Sequence, residues 1–369
     1  MSTVRIPFID LRGGEDEDDV RTAIARVIHA GRFVLGPEVE AFEHEFADAS
    51  GVGTTVGVGN GTDALALILR ALGIGAGDEV IVPGLTAAYT GLAVLMAGAR
   101  PMFADVEPDR LTLDAEACAA LITSRTAAIV PGHLYGQPAD LERLVALAAR
   151  HGLHLVEDCC QAHLATYNGR PVGTFGVAGA FSFYPTKNLG AMGDAGAVVT
   201  GDAALAERVR RLRNGGQVDR YRHVDAGVNS RLDEMQAAVL RARLPYLRAW
   251  TNRRGALAMQ YAAILAGTST TPVPQQEPGH VHHLFPVRSL HRDALQTHLR
   301  SAGIETLVHY PVPLPRQDAF AACAPADCPQ ATRAADELLS LPLHPRLTDE
   351  TVRAVAGRVG EFEKGRAFA

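Results

Sequence analysis

The chain has 369 residues, of which 47% are hydrophobic and 21% are charged, with a formal net charge of −6. This length predicts two domains, and the apolar fraction is enough to bury a large core. The acidic balance argues against a nucleic-acid-binding role, and no run of about eighteen apolar residues suggests a membrane span. Residues 1–5 lack the apolar core of a secretory signal, so we expect a cytoplasmic protein.

Apolar runs alternate with helical patterns over most of the chain. The acidic residues 15–19 and the segment after Pro37 each begin a helix with an apolar stripe on one face. Helical stretches such as 141–149 separate most of the later apolar runs. This alternation is typical of a largely parallel sheet covered by helices, so the fold class is α/β. The strand-like runs lie at residues 80–82, 102–104, 128–130, 155–156 and 197–199.

A glycine-rich turn lies between the run 56–58 and a helical pattern that continues through Leu72. Glycines let backbone amides approach a phosphate, and a helix N-terminus offers unpaired N–H groups with a favourable dipole. Gly61 and Thr62 stand at this position. Such turns are common before helices, and Thr62 could also be only a cap.

Two residues near the middle of the chain carry the chemistry. Lys187 follows the apolar run 178–183, and Pro185 and Gly190 favour a turn around it. A lysine held on a loop at a strand end can form a Schiff base with an aldehyde. Asp158 ends another strand-like run, and a carboxylate can keep the ring nitrogen of pyridoxal phosphate protonated. Ser182 offers a hydroxyl to a phosphate.

These residues resemble a known family. Its order is Asp, Gln three residues later, then Ser-x-x-x-x-Lys, which is met here by Asp158, Gln161, Ser182 and Lys187. The chain is similar to the DegT-type (DegT/StrS) sugar aminotransferases, from Phe8 to about residue 345. The resemblance implies pyridoxal 5'-phosphate as cofactor and an aspartate-aminotransferase-like, fold-type-I architecture. It further implies a mainly parallel seven-stranded sheet and a small C-terminal α+β domain.

The resemblance also implies roles for single residues. Gly61 and Thr62 would hold the cofactor phosphate, and Gln161 would reach the cofactor's phenolic oxygen, although it could merely cap a local turn. The segment 227–234 is close to the family's Gly-x-Asn-x-Arg-Leu-Asp-Glu signature. Asn229 would then reach the phosphate of the neighbouring subunit, so we expect a homodimer with shared active sites. A simple helix-entry role is the alternative for Asn229.

One position departs from the family pattern. Where the family has an aromatic residue that stacks on the cofactor ring, this chain has Ala87, and an aromatic follows only at Tyr89. Two residues on a helix rotate a side chain by about 200°, so Tyr89 is not a direct replacement. Either another side chain covers the cofactor face or that face is more open, and Tyr89 could equally be a core residue.

Four residues are candidates for substrate contact. His133 lies in a His-Leu-Tyr-Gly segment that is similar to one in the family, where it would approach the cofactor or the sugar. A structural histidine is an equal alternative. Tyr221 precedes the Asn229 signature, and His309 and Tyr310 belong to a run that resembles the family's closing segment near the substrate.

The C-terminal part predicts a separate lobe. A helical stretch from Leu232 to about Leu265, interrupted at Pro245, would link a large cofactor-binding domain (1–245) to a small α+β domain (246–369). The proline-rich segment 267–279 predicts a surface loop. After it we expect a strand at 281–288, a helix at 293–302, a strand at 304–308 and closing helices.

Metal and disulfide sites are not expected. Adjacent Cys159 and Cys160 fit buried thiols, and Cys323 and Cys328 lack a second ligand pair for zinc. The histidines at 280, 282 and 283 suggest a metal, but alternation along a strand explains them more simply.

The resemblance therefore implies a transaminase that converts a nucleotide-linked keto-sugar to an amino sugar, with L-glutamate as amino donor. The segment 133–136 is more similar to that of family members that act on a thymidine diphosphate (dTDP) 3-keto-6-deoxyhexose, so we expect this substrate class. Alternatives are a cyclitol (inosose) aminotransferase and a non-catalytic, cofactor-binding regulatory paralogue. Related sugar dehydratases lack the lysine, so Lys187 argues against that activity.

Overall fold

The computed structural model describes residues 6–323 and 326–367. The N-terminal residues 1–5, on which the expected absence of a secretory signal rests, lie outside this range, as do residues 324–325 between Cys323 and Cys328. No helix in the described ranges combines the length and apolarity that crossing a bilayer requires.

The central feature is a seven-stranded sheet in the order β1-β9-β8-β5-β4-β2-β3. All neighbouring strands run parallel except β9, which is antiparallel to both β1 and β8. The strands of this sheet are β1 (Thr54–Val58), β2 (Glu79–Pro83), β3 (Arg100–Ala104), β4 (Thr126–Ile129), β5 (His154–Asp158), β8 (Ala178–Ser182) and β9 (Gly196–Thr200). Both the α/β class and the seven strands are confirmed.

Both faces of the sheet are buried, because side chains alternate along each strand. On β2, Val80 and Val82 pack in one apolar layer and Ile81 packs in the other. Helices cover the two faces and complete the α/β architecture. The helices before residue 245 are α1 (Glu17–Ala30), α2 (Pro37–Ser50), α3 (Gly61–Ala71), α4 (Ala88–Met96), α5 (Ala115–Leu121), α6 (Leu141–His151), α7 (Ala203–Arg213) and α8 (Glu234–Arg243).

Two hairpins and a long helix complete the path to the second lobe. A 3-10 turn, Leu244–Tyr246, carries Pro245 and joins α8 to α9 (Leu247–Leu265), so the predicted interrupted helix is confirmed. Leu247 packs with the large sheet, whereas Tyr261 and Leu265 belong to the core of the second lobe. The hairpins are β6 (Thr166–Tyr167) with β7 (Arg170–Pro171), and β10 (Gln217–Asp219) with β11 (Arg222–His223).

The second lobe is a three-stranded antiparallel sheet with three helices. Its elements are β12 (Thr271–Pro272), β13 (Phe285–Arg288), α10 (Arg292–Ser301), α11 (Pro329–Glu337), β14 (Leu338–Leu341) and α12 (Asp349–Ala367). The α+β character agrees with the sequence. Leu314, Phe320 and Ala331, however, pack in the core of the large sheet. The division at residue 245 stays a prediction.

Three details of the second lobe differ from the sequence analysis. The strand expected at 281–288 is limited to Phe285–Arg288, because residues 280–284 form an irregular segment in which His282 has a φ of 46°. The expected strand 304–308 makes only isolated bridges, at Ile304 and Leu307. β14 was not predicted, since its four residues lie between two helical patterns.

Candidate active site

Lys187 lies on the loop that leaves β8 at the edge where the parallel strands end. Its backbone N–H donates to the carbonyl of Tyr184 at 2.8 Å. The loop closes tightly, because a Cβ placed on Gly190 would lie 2.4 Å from the carbonyl oxygen of Pro185. Only glycine fits there, so the turn predicted around Lys187 has a steric cause.

The residue after the lysine ties this loop to the segment before β13. The Asn188 side chain donates through Nδ2 to the carbonyl of Val281 at 3.0 Å. Its Oδ1 accepts a hydrogen bond from Nδ1 of His283 at 3.1 Å. His283 is thereby explained as an anchor of the lysine loop, and burial lowers its pKa well below the usual value, so the ring is neutral.

The amine of Lys187 is in an environment that favours its neutral form. The side chain is half-buried, and burial lowers its pKa, while the neighbouring groups of Cys160 and Asp158 act in the opposite direction. A neutral amine is the nucleophilic form, so burial prepares Lys187 to attack a carbonyl carbon.

Asp158 ends β5, and two donors hold its carboxylate in place. Oδ1 accepts the backbone N–H of Cys160 at 3.1 Å, and Oδ2 accepts the hydroxyl of Thr90 at 2.7 Å. The residue is 9% exposed. Each oxygen keeps a further lone pair, so the carboxylate can still accept a hydrogen bond from a protonated ring nitrogen. Thr90, on α4, is a residue that the sequence analysis missed.

The start of α3 is packed against the end of β8. The Asn60 side chain caps the helix by accepting the Asp63 N–H at 2.8 Å. A Cβ on Gly61 would meet Sγ of Cys160 at 2.7 Å and Cβ of Ser182 at 2.8 Å, so this position requires glycine. The amides of the first helical turn have no acceptor within the helix, and they lie beside the Ser182 hydroxyl. The partial positive charge of these N–H groups, together with the helix dipole, favours binding of a phosphate. Thr62, the next residue, is half-buried.

Gln161, which follows β5, links Tyr135 to Tyr310 of the second lobe. Its Oε1 accepts the backbone N–H of Tyr135 at 2.7 Å, which orients Nε2 to donate to the hydroxyl of Tyr310 at 3.1 Å. The Tyr135 hydroxyl donates to the carbonyl of His309. Burial raises the pKa of Tyr310 to about 12, and Asp158 adds to the shift. The structure thus brings Tyr310 next to Asp158, and its contact with substrate stays a prediction.

His309 lies on the same segment as Tyr310. Its Nδ1 lies 2.9 Å from the Ser340 hydroxyl, and burial lowers its pKa to about 4, with Lys187 adding to the shift. His309 is therefore a neutral ring near Lys187, and its contact with substrate stays a prediction.

His133 is a structural residue, which corrects its assignment as a substrate candidate. It is 1% exposed, and both ring nitrogens are engaged. Nδ1 accepts the N–H of Ala139 at 3.1 Å, so Nε2 carries the proton that faces Glu157 at 3.2 Å. The residue follows a strand end, as predicted, but its ring turns into the protein interior. These contacts agree with the alternative that His133 is a structural histidine.

Cys159, with His133 and Glu157, forms a compact group with the geometry of a metal site. The donors of this group are already used, because Glu157 also accepts the backbone amides of Gly173 and Gly176. Burial raises the pKa of the Cys159 thiol well above its usual value, which disfavours the thiolate that a metal requires. The group is explained as a buried hydrogen-bond network.

The departure at residue 87 has a structural counterpart. Ala87 is the half-buried residue before α4, and Tyr89, inside the helix, is 65% exposed. Tyr89 is therefore not a core residue, because its position on the first turn directs it outwards. It contributes to the raised pKa of Tyr310, which places the two phenols near each other.

Tyr221 and Asn229 are exposed, and Ser230, next to Asn229, accepts the N–H of Gly59 at 3.0 Å and donates to Asp63 at 2.6 Å beside the start of α3. Tyr221 is 79% exposed and connects β10 to β11 with a φ of 71°. Asn229 is exposed beside a bridge to Asn214. Within one chain, the structure does not bring these two residues together with the Asp158–Lys187 pair.

Comparison with known proteins decides the family. The profile of the DegT/DnrJ/EryC1/StrS aminotransferase family matches residues 15–360. The chain belongs to this family. A Streptomyces venezuelae relative, a dTDP-3-amino-3,4,6-trideoxy-alpha-D-glucose transaminase, is 50% identical over 98% of this chain and 97% of its own. The DegT-type resemblance, the aminotransferase activity and the sugar-aminotransferase function are therefore confirmed.

Solved structures agree with this assignment. The crystal structure of S. venezuelae DesV, in complex with a ketimine intermediate, has a TM-score of 0.95 and 50% identity and covers 98% of this chain and 99% of its own. NtdA from Bacillus subtilis, solved with the bound cofactor PMP, has a TM-score of 0.91 and 29% identity, with 99% and 86% coverage. The fold-type-I architecture is confirmed, and pyridoxal phosphate is the cofactor.

The residues of this site fit that cofactor. Gly61 leaves room where a side chain would collide with Ser182, Asp158 has free acceptor capacity, and the Lys187 amine is half-buried and next to Asp158. When bound, pyridoxal phosphate supplies an aldehyde and a protonated ring that acts as an electron sink. Lys187 would hold the aldehyde, Asp158 the ring nitrogen, and the first turn of α3 with Ser182 the phosphate.

Proposed function

We propose that this aminotransferase moves the amino group of L-glutamate to the keto carbon of a dTDP-linked 3-keto-6-deoxyhexose in the cytoplasm. The observation that supports the proposal most is the half-buried Lys187 beside Asp158, in a chain that is 50% identical, over nearly its whole length, to a transaminase named for a dTDP-3-amino sugar. The nucleotide, the ketone position and the donor are the parts that this proposal adds to the family assignment.

Lys187 performs two tasks in this proposal. Its amine would hold the aldehyde of the cofactor, and when it is free the same amine would be the base that moves a proton at the substrate carbon. Its lowered pKa serves both tasks, because a permanently charged ammonium could neither attack nor accept a proton. Asp158, fixed by Thr90, keeps the ring nitrogen positive throughout.

Substrate contacts are proposed for three residues. Tyr310 and His309 come from the second lobe and lie at the edge of the Asp158 site, where a phenol hydroxyl and a neutral imidazole can hydrogen bond a sugar or a phosphate. Tyr221 is exposed on the β10–β11 hairpin, where it could serve the site of a second subunit.

A shared active site between two subunits is the second part of the proposal. Asn229 is exposed, and its side-chain amide has no hydrogen-bond partner among the described residues, so it is available to bind the cofactor phosphate of a partner. Large apolar side chains are also exposed, which favours a homodimer. These are Phe33, Tyr184, Met192 and Tyr221.

A panel of ketones tests the substrate. Purified holoenzyme with L-glutamate is offered dTDP-3-keto-6-deoxyglucose, the corresponding 4-keto sugar and scyllo-inosose, and the products are identified by mass spectrometry. We expect amination of the 3-keto sugar at the highest kcat/KM. Preferred amination of inosose would establish the cyclitol alternative, and absence of any product from a cofactor-loaded protein would establish the regulatory one.

Mixed dimers test the shared site. Lys187→Ala and Asn229→Ala chains are each inactive in the proposal, but a heterodimer of the two contains one site built from undamaged groups. We expect partial rescue after subunit exchange, up to half of the wild-type activity per heterodimer. A fully active monomer, or no rescue in heterodimers isolated with two affinity tags, would refute shared sites.

A further inference from the structure

The lysine loop, residues 183–195 between β8 and β9, receives two contacts from helix α8. The backbone N–H of Met192 donates to Oε1 of Gln236 at 2.8 Å. The carbonyl of Gly190 accepts from Nη1 of Arg243 at 2.6 Å. Gln236 and Arg243 are seven residues apart, which is about two helical turns, so they lie on one face of α8. This face of the helix therefore holds the loop at two points shortly after Lys187.

The guanidinium of Arg243 bridges the lysine loop and the start of α1. Its Nε donates to Oδ2 of Asp16 at 2.9 Å, while its Nη1 donates to Gly190. The Asp16 side chain is 2% exposed and that of Arg243 is 14% exposed, so the pair is largely shielded from water. Salt and solvent screen such a pair much less than a surface pair. Asp16 therefore keeps Arg243 in the orientation in which it reaches the loop.

The turn that carries Lys187 depends on these contacts. The backbone N–H of Lys187 finds a carbonyl inside the loop, at Tyr184. The Met192 N–H and the Gly190 carbonyl instead use the side chains of α8. Gly190 also packs against the carbonyl of Pro185 so closely that only glycine fits. A contact that fixes Gly190 therefore fixes the turn on which the reactive amine lies.

The position of the Lys187 amine matters because other elements hold the rest of the cofactor. In the proposed function, Asp158 on β5 binds the ring nitrogen, and the first turn of α3 binds the phosphate. The amine must meet an aldehyde whose place is set by these two contacts. A misplacement of about 1 Å in a reacting group can cost about 100-fold in rate. Holding the lysine loop is therefore a task separate from binding the cofactor.

From these contacts, we propose that Arg243 and Gln236 are positioning residues for Lys187. They act through the loop and not on the reacting atoms, and Asp16 orients Arg243 for this task. The inference rests on the proposed role of Lys187 as the residue that bonds the aldehyde. Its signature is slow bond formation at the lysine, together with normal affinity for the ring and the phosphate.

Two phosphorylated pyridines separate positioning from binding in the full chain after removal of its cofactor. Pyridoxal 5'-phosphate has the aldehyde, so growth of the visible absorption band at saturating ligand gives the rate of bond formation by stopped flow. Pyridoxine 5'-phosphate has an alcohol at that carbon, so its affinity by calorimetry reports the ring and phosphate contacts alone. We expect Arg243→Met to slow bond formation about tenfold or more, and Gln236→Met to slow it several-fold. Both variants should bind pyridoxine 5'-phosphate as the wild type does.

Two further variants on the same helix position are matched to this test. Arg243→Lys keeps a charge beside Asp16 but lacks the planar fork that reaches two acceptors, so it should restore part of the rate. Arg241, also on α8, directs its hydrogen bonds to Glu38 and Glu45. Arg241→Met therefore breaks a comparable ion-pair network and should form the bond at the wild-type rate.

The outcomes distinguish positioning from a general loss of structure. Gln236→Met keeps the test decisive if Arg243→Met does not fold, because it leaves no shielded charge without its partner. Wild-type rates of bond formation in the folded Arg243 and Gln236 variants would overturn the proposal. An equal loss of affinity for pyridoxine 5'-phosphate, or equal slowing in Arg241→Met, would overturn it as well. Failure of the proposed role of Lys187 is recognised separately, because the wild type itself would then form no bond at that lysine.

Discussion

Glu157 and Asp158 are neighbours on one strand, but they face opposite sides of the sheet and differ in function. Glu157 is fully buried and accepts from His133 and from three backbone amides, those of Gly173, Phe175 and Gly176. Within the described residues, the Asp158 carboxylate accepts from the Thr90 hydroxyl and the Cys160 amide, and it lies beside the Cys160 thiol. A carboxylate whose acceptor positions are filled by the protein holds the fold together, whereas one with positions left over can bind a ligand.

The same contrast extends to the residues around each carboxylate. His133 beside Glu157 has both nitrogens occupied, while the Lys187 amine near Asp158 has no hydrogen-bond partner among the described residues. Unused hydrogen-bonding capacity, rather than residue type or position at a strand end, separates the active site from the structural network.

Replacing Asp158 should have the largest effect on activity. Asp158→Asn removes the charge that keeps the ring nitrogen protonated, and a hydrogen bond to a charged group is worth about 1.5–3 kcal/mol, or roughly ten- to 150-fold in rate. We expect kcat/KM to fall by at least that much while the melting temperature stays near the wild-type value. A fully active Asp158→Asn enzyme would show that this face of β5 does not serve the cofactor.

For Glu157, one residue earlier on β5, we expect a loss of stability and little loss of activity. Glu157→Gln keeps the shape but directs an NH₂ group at donors that need an acceptor, so the free energy of unfolding should fall by about 1–3 kcal/mol. Denaturant unfolding measures this loss, and the activity of the folded fraction should change little. Glu116→Gln, at an exposed ion pair with Arg143, is the control and should cost less than about 0.5 kcal/mol.

Replacing Thr90 should lower kcat/KM by less than replacing Asp158 does. Thr90→Val removes the 2.7 Å hydrogen bond to Asp158 and nearly preserves shape, so we expect about a tenfold loss of kcat/KM. Thr112→Val is the matched control, because Thr112 is 1% exposed and its hydroxyl has no partner among the described residues. Equal losses in the two variants would mean that Thr90 acts through packing and not through Asp158.

At Ala87 the two possible arrangements of the cofactor face predict changes of opposite sign. If the half-buried Ala87 position already has its space filled by other side chains, Ala87→Tyr should overpack at a cost of about 1–3 kcal/mol and speed cofactor dissociation. If the cofactor face is open, the added ring should instead tighten cofactor binding up to roughly tenfold. We expect the first result. Stopped-flow measurement of cofactor release from the wild type and from Ala87→Tyr distinguishes the two results. Tighter cofactor binding with unimpaired turnover in Ala87→Tyr would contradict the overpacking that we expect.

Much of the fold and the central pair could be predicted from the sequence because they depend on local patterns. Apolar runs separated by helices predicted the parallel sheet, and the resemblance carried by Asp158, Gln161, Ser182 and Lys187 predicted the cofactor site. Thr90 could not be found in this way, since its bond to Asp158 joins residues 68 positions apart. No local pattern distinguishes it from other threonines.

The choice between the two roles of His133 and the existence of β14 could not be predicted for a related reason. A strand end predicts that a side chain is near the site, but the direction of the His133 ring depends on the N–H of Ala139 and on Glu157, which are set by packing. β14 forms because its backbone pairs with β13, about fifty residues earlier in the chain, and four apolar or small residues do not indicate a strand by themselves.

Borohydride reduction followed by peptide mapping tests most directly whether the Lys187 amine carries the cofactor. Reduction should fix pyridoxal phosphate irreversibly on the peptide that contains Lys187, with loss of the visible absorption band. Lys187→Ala, the control, should stay folded, take up no covalent label and be inactive. A label on another residue, or a wild-type enzyme that turns over without any covalent label, would contradict the assignment.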